Sequence, residues 1–527
     1  MMDSSTGWLL DVSIEQNRAT IWIKTSEGAI LKLIDNYQPN FYVLPKDENT
    51  AADFFQILSH LSTVKYVEWE DKFTDLFDND RHGMKKLICI YPESLLYFKT
   101  ILKSLEKDPR VVQLFNTDLS HVQQYLFTKL KIEPTSNVEV EYDKNESRLI
   151  KITKLDEDLA AAPAPFSILY FEIHTTSSSS NLGHDVNDPI IRIRARYQEE
   201  PEISFDGSED NILSAFSEYV LAKDPDILVS SNQHHPSITT LDYLFIRMGG
   251  LDLHIGRDKQ NNKTNKLEGR VYLSNKSFPN DLDLVGLIEK SRFGFLPLSL
   301  AVRYGMNRLI NSRNCYELIQ RGFVISPANN NHERIRTLDE IIAKDKAGMI
   351  FSPKIGLHEN VVALDYENEY ANLILKHNLS YETVTSTRDG RIMQNRKDES
   401  GLLPTVLESV LKRRIFFKNL QKSFLVNTND WLWCEHRIVA LKDILVSLYG
   451  TTGSLWNRYA NVAAFEEINR LSREVLIKTK DIVQELGFEL EYADTDSVFL
   501  KKNGASLEDF EYVREILATE TGLPISL

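Results

Sequence analysis

The chain has 527 residues, 42% hydrophobic and 26% charged, a globular composition large enough to bury several cores. Its formal net charge of -15 excludes a protein that coats nucleic acid indiscriminately, while leaving room for a local basic groove. Cys89, Cys315 and Cys434 are far apart and odd in number, which excludes a disulfide framework and a cysteine zinc site; no apolar run of about 18 residues and no signal-like N-terminus points to a membrane, so an intracellular protein is expected.

Residues 8–12, 19–23, 29–33 and 41–44 read as strands separated by turn formers, and helical patterns follow from about 51 and from 92 to 105. These predict an N-terminal α+β domain over 1–160. The stretch 156–165 turns acidic and then rich in alanine and proline, as a linker does. Beyond it, strands at 167–173, 190–195 and 227–230 with a helix at 211–221 give an α/β pattern. Segments 177–180 and 258–265 read as surface insertions, and a helical stretch over 298–320 ends at Gly322 as at a C-cap glycine.

From residue 360 the pattern changes. Val361-Val362-Ala363-Leu364 is apolar at every position, as in a strand buried on both faces, and it delivers Asp365 at its end. Pro404 suits the first turn of a helix running through Lys422, and Asn427-Thr428-Asn429-Asp430 suits the turn into a second helix over 431–449. This αα-hairpin holds the clearest cationic cluster, Lys412-Arg413-Arg414 with Lys418 and Lys422. On its second helix Lys442, Val446 and Tyr449 share a face, given about 100° per residue. A helix over 463–486 carries an apolar stripe of Phe465, Ile468, Leu471, Val475, Ile482 and Leu486, and Gly487 closes it. Alternation over 488–492 and the apolar 498–500 flank Asp494-Thr495-Asp496-Ser497, which predicts a β-hairpin with a tight turn. Taken alone, this tetrapeptide favours an Asx-stabilised turn; two carboxylates held ionised at a hairpin tip also suit hard, oxygen-seeking Mg²⁺.

An apolar strand ending in aspartate, a basic αα-hairpin, a packing helix and a YxDTDS hairpin, in that order, resemble the polymerase domain of B-family DNA polymerases, particularly the archaeal type. Gly356-Leu357-His358-Glu359-Asn360 and the strand to Asp365 are similar to the segment leading into the family's first polymerase motif. Asp365 takes the metal-binding aspartate position there, and Tyr370 that of the tyrosine beneath the nucleotide sugar. Leu402-Leu403-Pro404 followed by Arg414 resembles the first fingers helix, whose arginine grips the triphosphate. Arg437 and Lys442 with Ser447-Leu448-Tyr449-Gly450 match the second fingers helix, and Tyr492-Ala493-Asp494-Thr495-Asp496-Ser497 completes the set.

The resemblance implies a multidomain α/β and α+β architecture: an RNase H-like, exonuclease-type domain over 161–340, a right-hand palm over 341–400 and 451–527, fingers over 401–450, and no thumb. It implies Asp365, Asp494 and Asp496 as catalytic residues, with Asp365 and Asp496 holding two Mg²⁺ ions. Tyr370, Arg414, Arg437, Lys442 and Tyr449 would bind the nucleotide. The implied partners are primer-template DNA and dNTPs, with a sliding clamp or other replication factor admitted, no membrane, and a cytoplasmic, nucleoid-associated location.

The chain also departs from the family. Its exonuclease strand FDIET is Phe171-Glu172-Ile173-His174-Thr175 here, Ser237 stands where the second motif's aspartate is expected, and no YxxxD occurs between Asp283 and Leu309. A two-metal nuclease needs clustered carboxylates, so Glu172, His174 and Ser237 mark a degenerate exonuclease. Asp242, five residues beyond Ser237, would serve only after a shift in register. The family's SLYPS is Asn368-Glu369-Tyr370-Ala371-Asn372, which is expected to bring a negative charge close to the triphosphate. Val446 replaces the asparagine of NSxYG and cannot hydrogen-bond the new base pair. Two functions follow: a template-directed DNA polymerase without proofreading, or a weak or inactive paralogue that binds primer-template or replication partners.

Overall fold

Runs of β-branched and aromatic residues punctuated by turn formers close into a barrel at the N-terminal end of the computed structural model. The structure describes residues 2–77, 83–155, 164–176, 188–230, 239–249, 251, 253–258, 267–274, 283–328, 335–344, 346–386, 392–394 and 399–527. The chain divides into two compact units.

The first unit comprises Met1–Thr74, His82–Pro327 and Leu420–Ala440. In its barrel, Met2–Glu15, Arg18–Thr25 and Ile30–Asn36 close with Arg148–Lys154 and Asn137–Asp143. A second sheet runs in the order Val64–Lys72, Lys85–Pro92, Phe41–Pro45, Val111–Phe115. A third runs Ile203–Asp206, Ile190–Tyr197, Ile168–Thr175, Ile227–Ser230, Val271–Ser274; its first pairings are antiparallel and its last two parallel. Leu169, Phe171, Ile173 and Phe216 pack on one of its faces, and Ile227, Val229, Leu287 and Leu296 on the other, so both faces are buried as a mixed α/β sheet requires. The helix expected over 298–320 is broken into Leu298–Ala301 and Met306–Gln320, because Gly305 takes extended backbone with ψ 163° and begins the second piece. All three cysteines are buried.

The second unit comprises Asp75–Arg81, Ala328–Asn419 and Leu441–Leu527. Its sheet contains β1 (Ile350–Phe351), β2 (Val361–Tyr366), β3 (Glu489–Asp494), β4 (Ser497–Lys501) and β5 (Ile525–Ser526), in the antiparallel order β1-β3-β4-β2-β5. The helices are α1 (Glu369–Lys376), α2 (Leu402–Gln421), α3 (Asn429–Gly450), α4 (Val462–Glu485) and α5 (Leu507–Thr521). The tip of the α2–α3 hairpin, residues 420–440, belongs to the first unit. Leu364, Tyr366, Leu476, Val483, Val498, Leu500, Phe510 and Leu517 form the core between sheet and helices.

Two sequence expectations change here. β2 is buried on one face only: Leu364 and Tyr366 enter the core while Ala363 and Asp365 are exposed. The open face is the one that carries the aspartate. On α4, the expected stripe is rotated. Ile468, Ser472, Leu476, Thr479 and Val483 are fully buried, whereas Leu471, Val475, Ile482 and Leu486 are only partly so. Polar side chains hold the deep positions because each has a partner: the Thr479 hydroxyl meets Tyr366 Oη, Asn469 meets Tyr449 and Ser472 meets Glu369.

Candidate active site

β3 and β4 are joined by the two residues Thr495 and Asp496, with Asp494 paired to Ser497. Thr495 takes a left-handed backbone, φ 54°, which lets so short a loop close, and its amide donates to the Met349 carbonyl at 3.0 Å. Close approach matters on that side: a Cβ on Gly348 would lie 2.6 Å from Thr495 Oγ1. The predicted hairpin and turn are present. β4 also pairs with β2, placing Asp365 opposite Ser497, whose hydroxyl donates to Asp365 Oδ2 at 2.8 Å. The Tyr366 amide donates to the Asp496 carbonyl at 2.8 Å. Thus Asp365, Asp494 and Asp496 come together at one end of the three central strands.

Asp494 is held by Tyr492 Oη, donating to Oδ2 at 3.2 Å, and by Thr495 Oγ1 at 3.1 Å from Oδ1. Burial raises the Asp496 carboxyl above its ordinary range, and the charges of Asp365 and then Asp494 push it in the same direction. A cluster of hard oxygen donors whose mutual repulsion hinders ionisation fits a divalent cation such as Mg²⁺. The three acids do not converge on a point. Among the described residues, Glu68, Glu70 and Cys89 are the group whose ligand atoms all lie within 4.8 Å, and no second observation makes that cluster a site.

The chain leaves β2 through Asn368, also left-handed at φ 51°, and enters α1 at Glu369 and Tyr370. Glu369 is buried at 2% exposure, and Ser472 Oγ donates to its Oε2 at 3.1 Å. Burial first, then the nearby Asp496 and Asp365, raise its pKa to about 8. The residue expected to bring a negative charge close to the triphosphate is thus enclosed, not solvated, and its carboxyl is pushed up by that burial.

Of the expected nucleotide-binding residues, Tyr370 stacks on Tyr449 with ring centroids 4.1 Å apart and planes 8° from parallel. Arg414 Nη1 donates to Asn368 Oδ1 at 2.6 Å, at the start of α1, and Lys418 pairs with Glu367 at 3.3 Å. Lys442 and Val446 are exposed on the α3 face that also carries Tyr449. Arg437 is different. Its side chain is fully buried in the first unit, with Nε 3.1 Å from Glu289 Oε1 and its guanidinium 4.3 Å over the Trp433 ring. The assignment of Arg437 to the nucleotide is thus corrected, because the guanidinium is enclosed by an ion pair and an aromatic face.

In the third sheet of the first unit, Glu172 and His174 lie on one face of Ile168–Thr175, with Oε2 and Nε2 3.3 Å apart. Asp242 serves as the third helical residue of a capping box, accepting from Thr239 N and Oγ1, so it is committed to the start of Thr240–Met248. Ser237 lies outside the described residues, as do the segment 177–180 and most of the stretches 156–165 and 258–265. Sequence reasoning missed Asn469 and Ser472 as supports of the site. The available signal was their polarity on a helix face that also carries Leu476 and Val483.

Residues 296–521 match the model of DNA polymerase family B. A DNA polymerase of Archaeoglobus fulgidus is 23% identical over 595 aligned positions, covering 100% of this chain and 74% of the relative. DNA polymerase 2 of Saccharolobus solfataricus is 28% identical over 240 residues, 45% of this chain; the chain spans only 36% of that relative's length. The family B DNA polymerase of Pyrobaculum calidifontis has the same fold, with a TM-score of 0.73 over 99% of this chain and 77% of that one at 19% identity. Among the described residues, no helix is long and apolar enough to cross a membrane.

Proposed function

The chain is similar to archaeal-type family B DNA polymerases in motif order and fold, and on that premise we propose that it adds dNTPs to a primer 3′ end under template direction, without 3′→5′ proofreading. The observation that carries this reading is the meeting of Asp365, on β2, with Asp494 and Asp496 at the β3–β4 turn, in the unit that also holds Tyr370, Arg414 and Lys442. Asp365 and Asp496 would hold two Mg²⁺ ions, and Asp494 supports the turn through Tyr492 and Thr495. Two bound ions supply charge stabilisation for the attacking and leaving oxygens of an in-line displacement. Arg414 and Lys442 place positive charge for the β- and γ-phosphates, where charge grows as pyrophosphate leaves. Tyr370 lies under the deoxyribose and excludes a 2′-hydroxyl. DNA and dNTPs are the partners this reading requires.

The absence of proofreading is supported by a nuclease face that offers Glu172 and His174 in place of clustered carboxylates. Val446, 60% exposed on the α3 face, favours the second reading, a weakly active binder of primer-template, since valine offers the nascent pair no hydrogen bond. Mg²⁺-dependent, Asp496-dependent primer extension separates the two.

A further inference from the structure

The pair Tyr370–Tyr449 does not stand alone. Phe465, in the first turn of α4, also stacks on Tyr449, with centroids 5.2 Å apart and planes at 20°. Tyr449 Oη donates to Asn469 Oδ1 at 2.7 Å, and Asn469 Nδ2 donates to the Phe465 carbonyl at 3.0 Å. One turn further along the same face, Ser472 holds Glu369, the residue before Tyr370. Phe465, Asn469 and Ser472 are spaced i, i+4, i+7, so a single face of α4 holds both Tyr449 and the residue that precedes Tyr370.

The entry of α4 is itself fixed. Asn461 caps the helix by accepting from Ala463 N at 3.0 Å, and its Nδ2 donates to the carbonyls of Tyr381 and Val384 at 2.6 and 2.7 Å. Gly453 leaves the room Phe465 occupies: a Cβ there would lie 2.8 Å from the Phe465 ring. Aromatic rings stacked in sequence resist sliding of the middle one, and the bond of the half-buried Tyr449 hydroxyl to the buried Asn469 amide fixes its rotation.

We propose that Phe465, with Asn469 and Gly453, is a positioning residue for sugar discrimination: the Phe465–Tyr449–Tyr370 stack sets how far Tyr370 can retreat from a 2′-hydroxyl. This rests on the polymerase reading above and concerns specificity within it. Discrimination by Tyr370 is steric, so its strength depends on the stiffness of what lies behind it. Loosening Phe465 lets Tyr370 shift and admits ribonucleotides while deoxynucleotides still fit.

The test compares single-nucleotide incorporation of dATP and ATP, as kcat and KM separately, by the wild-type chain and by Phe465→Leu, Gly453→Ala and Phe465→Tyr. A second readout is binding of the same nucleotides to the chain and primer-template in Ca²⁺, where turnover is not needed. Phe465→Leu and Gly453→Ala are expected to raise ATP use relative to dATP by roughly 2- to 10-fold, mainly through KM for ATP, on the scale of one aromatic contact. Phe465→Tyr, which keeps the ring, restores the wild-type ratio. Equal losses for both nucleotides, with the ratio unchanged in kinetics and in binding, overturn the inference and leave the polymerase reading standing. No incorporation and no template-dependent nucleotide binding by the wild-type chain overturn the polymerase reading and the inference with it.

Discussion

The Ser497 hydroxyl donates a hydrogen bond to Asp365 Oδ2 at 2.8 Å, joining residues 132 positions apart in the chain across the β2–β4 pairing. This bond orients the Asp365 carboxylate from the residue that follows Asp496, so the two acids proposed to hold Mg²⁺ are set as a pair. Ser497→Ala removes the orientation but keeps both acids, and is expected to slow primer extension roughly 2- to 10-fold and raise the Mg²⁺ concentration needed, as loss of an outer hydrogen bond does. Asp365→Asn removes the ligand, and the rate falls at least roughly a hundredfold. A Mg²⁺ titration of both variants checks the contrast; equal losses would contradict the division of roles.

Glu369 makes stability fall with pH. Its folded pKa of about 8 lies above the ordinary 4.5, so the folded state holds a proton that the unfolded state releases. Its contribution is fully present below pH 4.5 and is lost as pH rises to about 8. Glu369→Gln, which cannot ionise, should match the wild type near the acid end of that window and become progressively more stable than it toward the alkaline end. Urea unfolding in EDTA across that range reads the difference, and a pH-independent gap would show that Glu369 is ionised in the folded protein.

Arg437 is expected to act on stability and to leave nucleotide affinity unchanged. Glu289→Ala removes the ion-pair partner of a buried guanidinium and should cost about 3–5 kcal/mol, whereas the double variant Glu289→Leu/Arg437→Leu recovers most of it. At a temperature where all forms are folded, KM for dNTP in the double variant should equal that of the wild type. A selective rise in KM would return Arg437 to the nucleotide.

The sheet that carries Glu172 and His174 should not support trimming. A mismatched primer 3′ end is expected to survive incubation with Mg²⁺, and Glu172→Ala should change nothing. Trimming abolished by that substitution would show that Glu172 and His174 retain nuclease chemistry.

The legible parts of this chain were those where local chemistry and tertiary role agree. Asp494-Thr495-Asp496-Ser497 reads as a turn and forms one, and α2, α3 and α4 begin and end within a few residues of their sequence signals. The rotation of α4 was hidden because apolarity marks a core face only when its polar residues are solvated. Asn469, Ser472 and Thr479 are buried against partners far away in sequence. The burial of Glu369, expected from sequence as a negative charge near the triphosphate, was hidden for the same reason: it depends on Ser472 and on enclosure, neither of which is local. Arg437 sits in a helix whose neighbours Lys442 and Tyr449 belong to the other unit, and no pattern along the helix marks that change of allegiance.

The central claim is that Asp365 and Asp496 form a working metal site for templated synthesis. Its most direct test is extension of a primed DNA template by the full chain with dNTPs, in Mg²⁺ and in EDTA, beside Asp496→Ala. The account predicts template-matched, Mg²⁺-dependent extension by the wild type and none by the variant. Wild-type extension no greater than that of Asp496→Ala would contradict it.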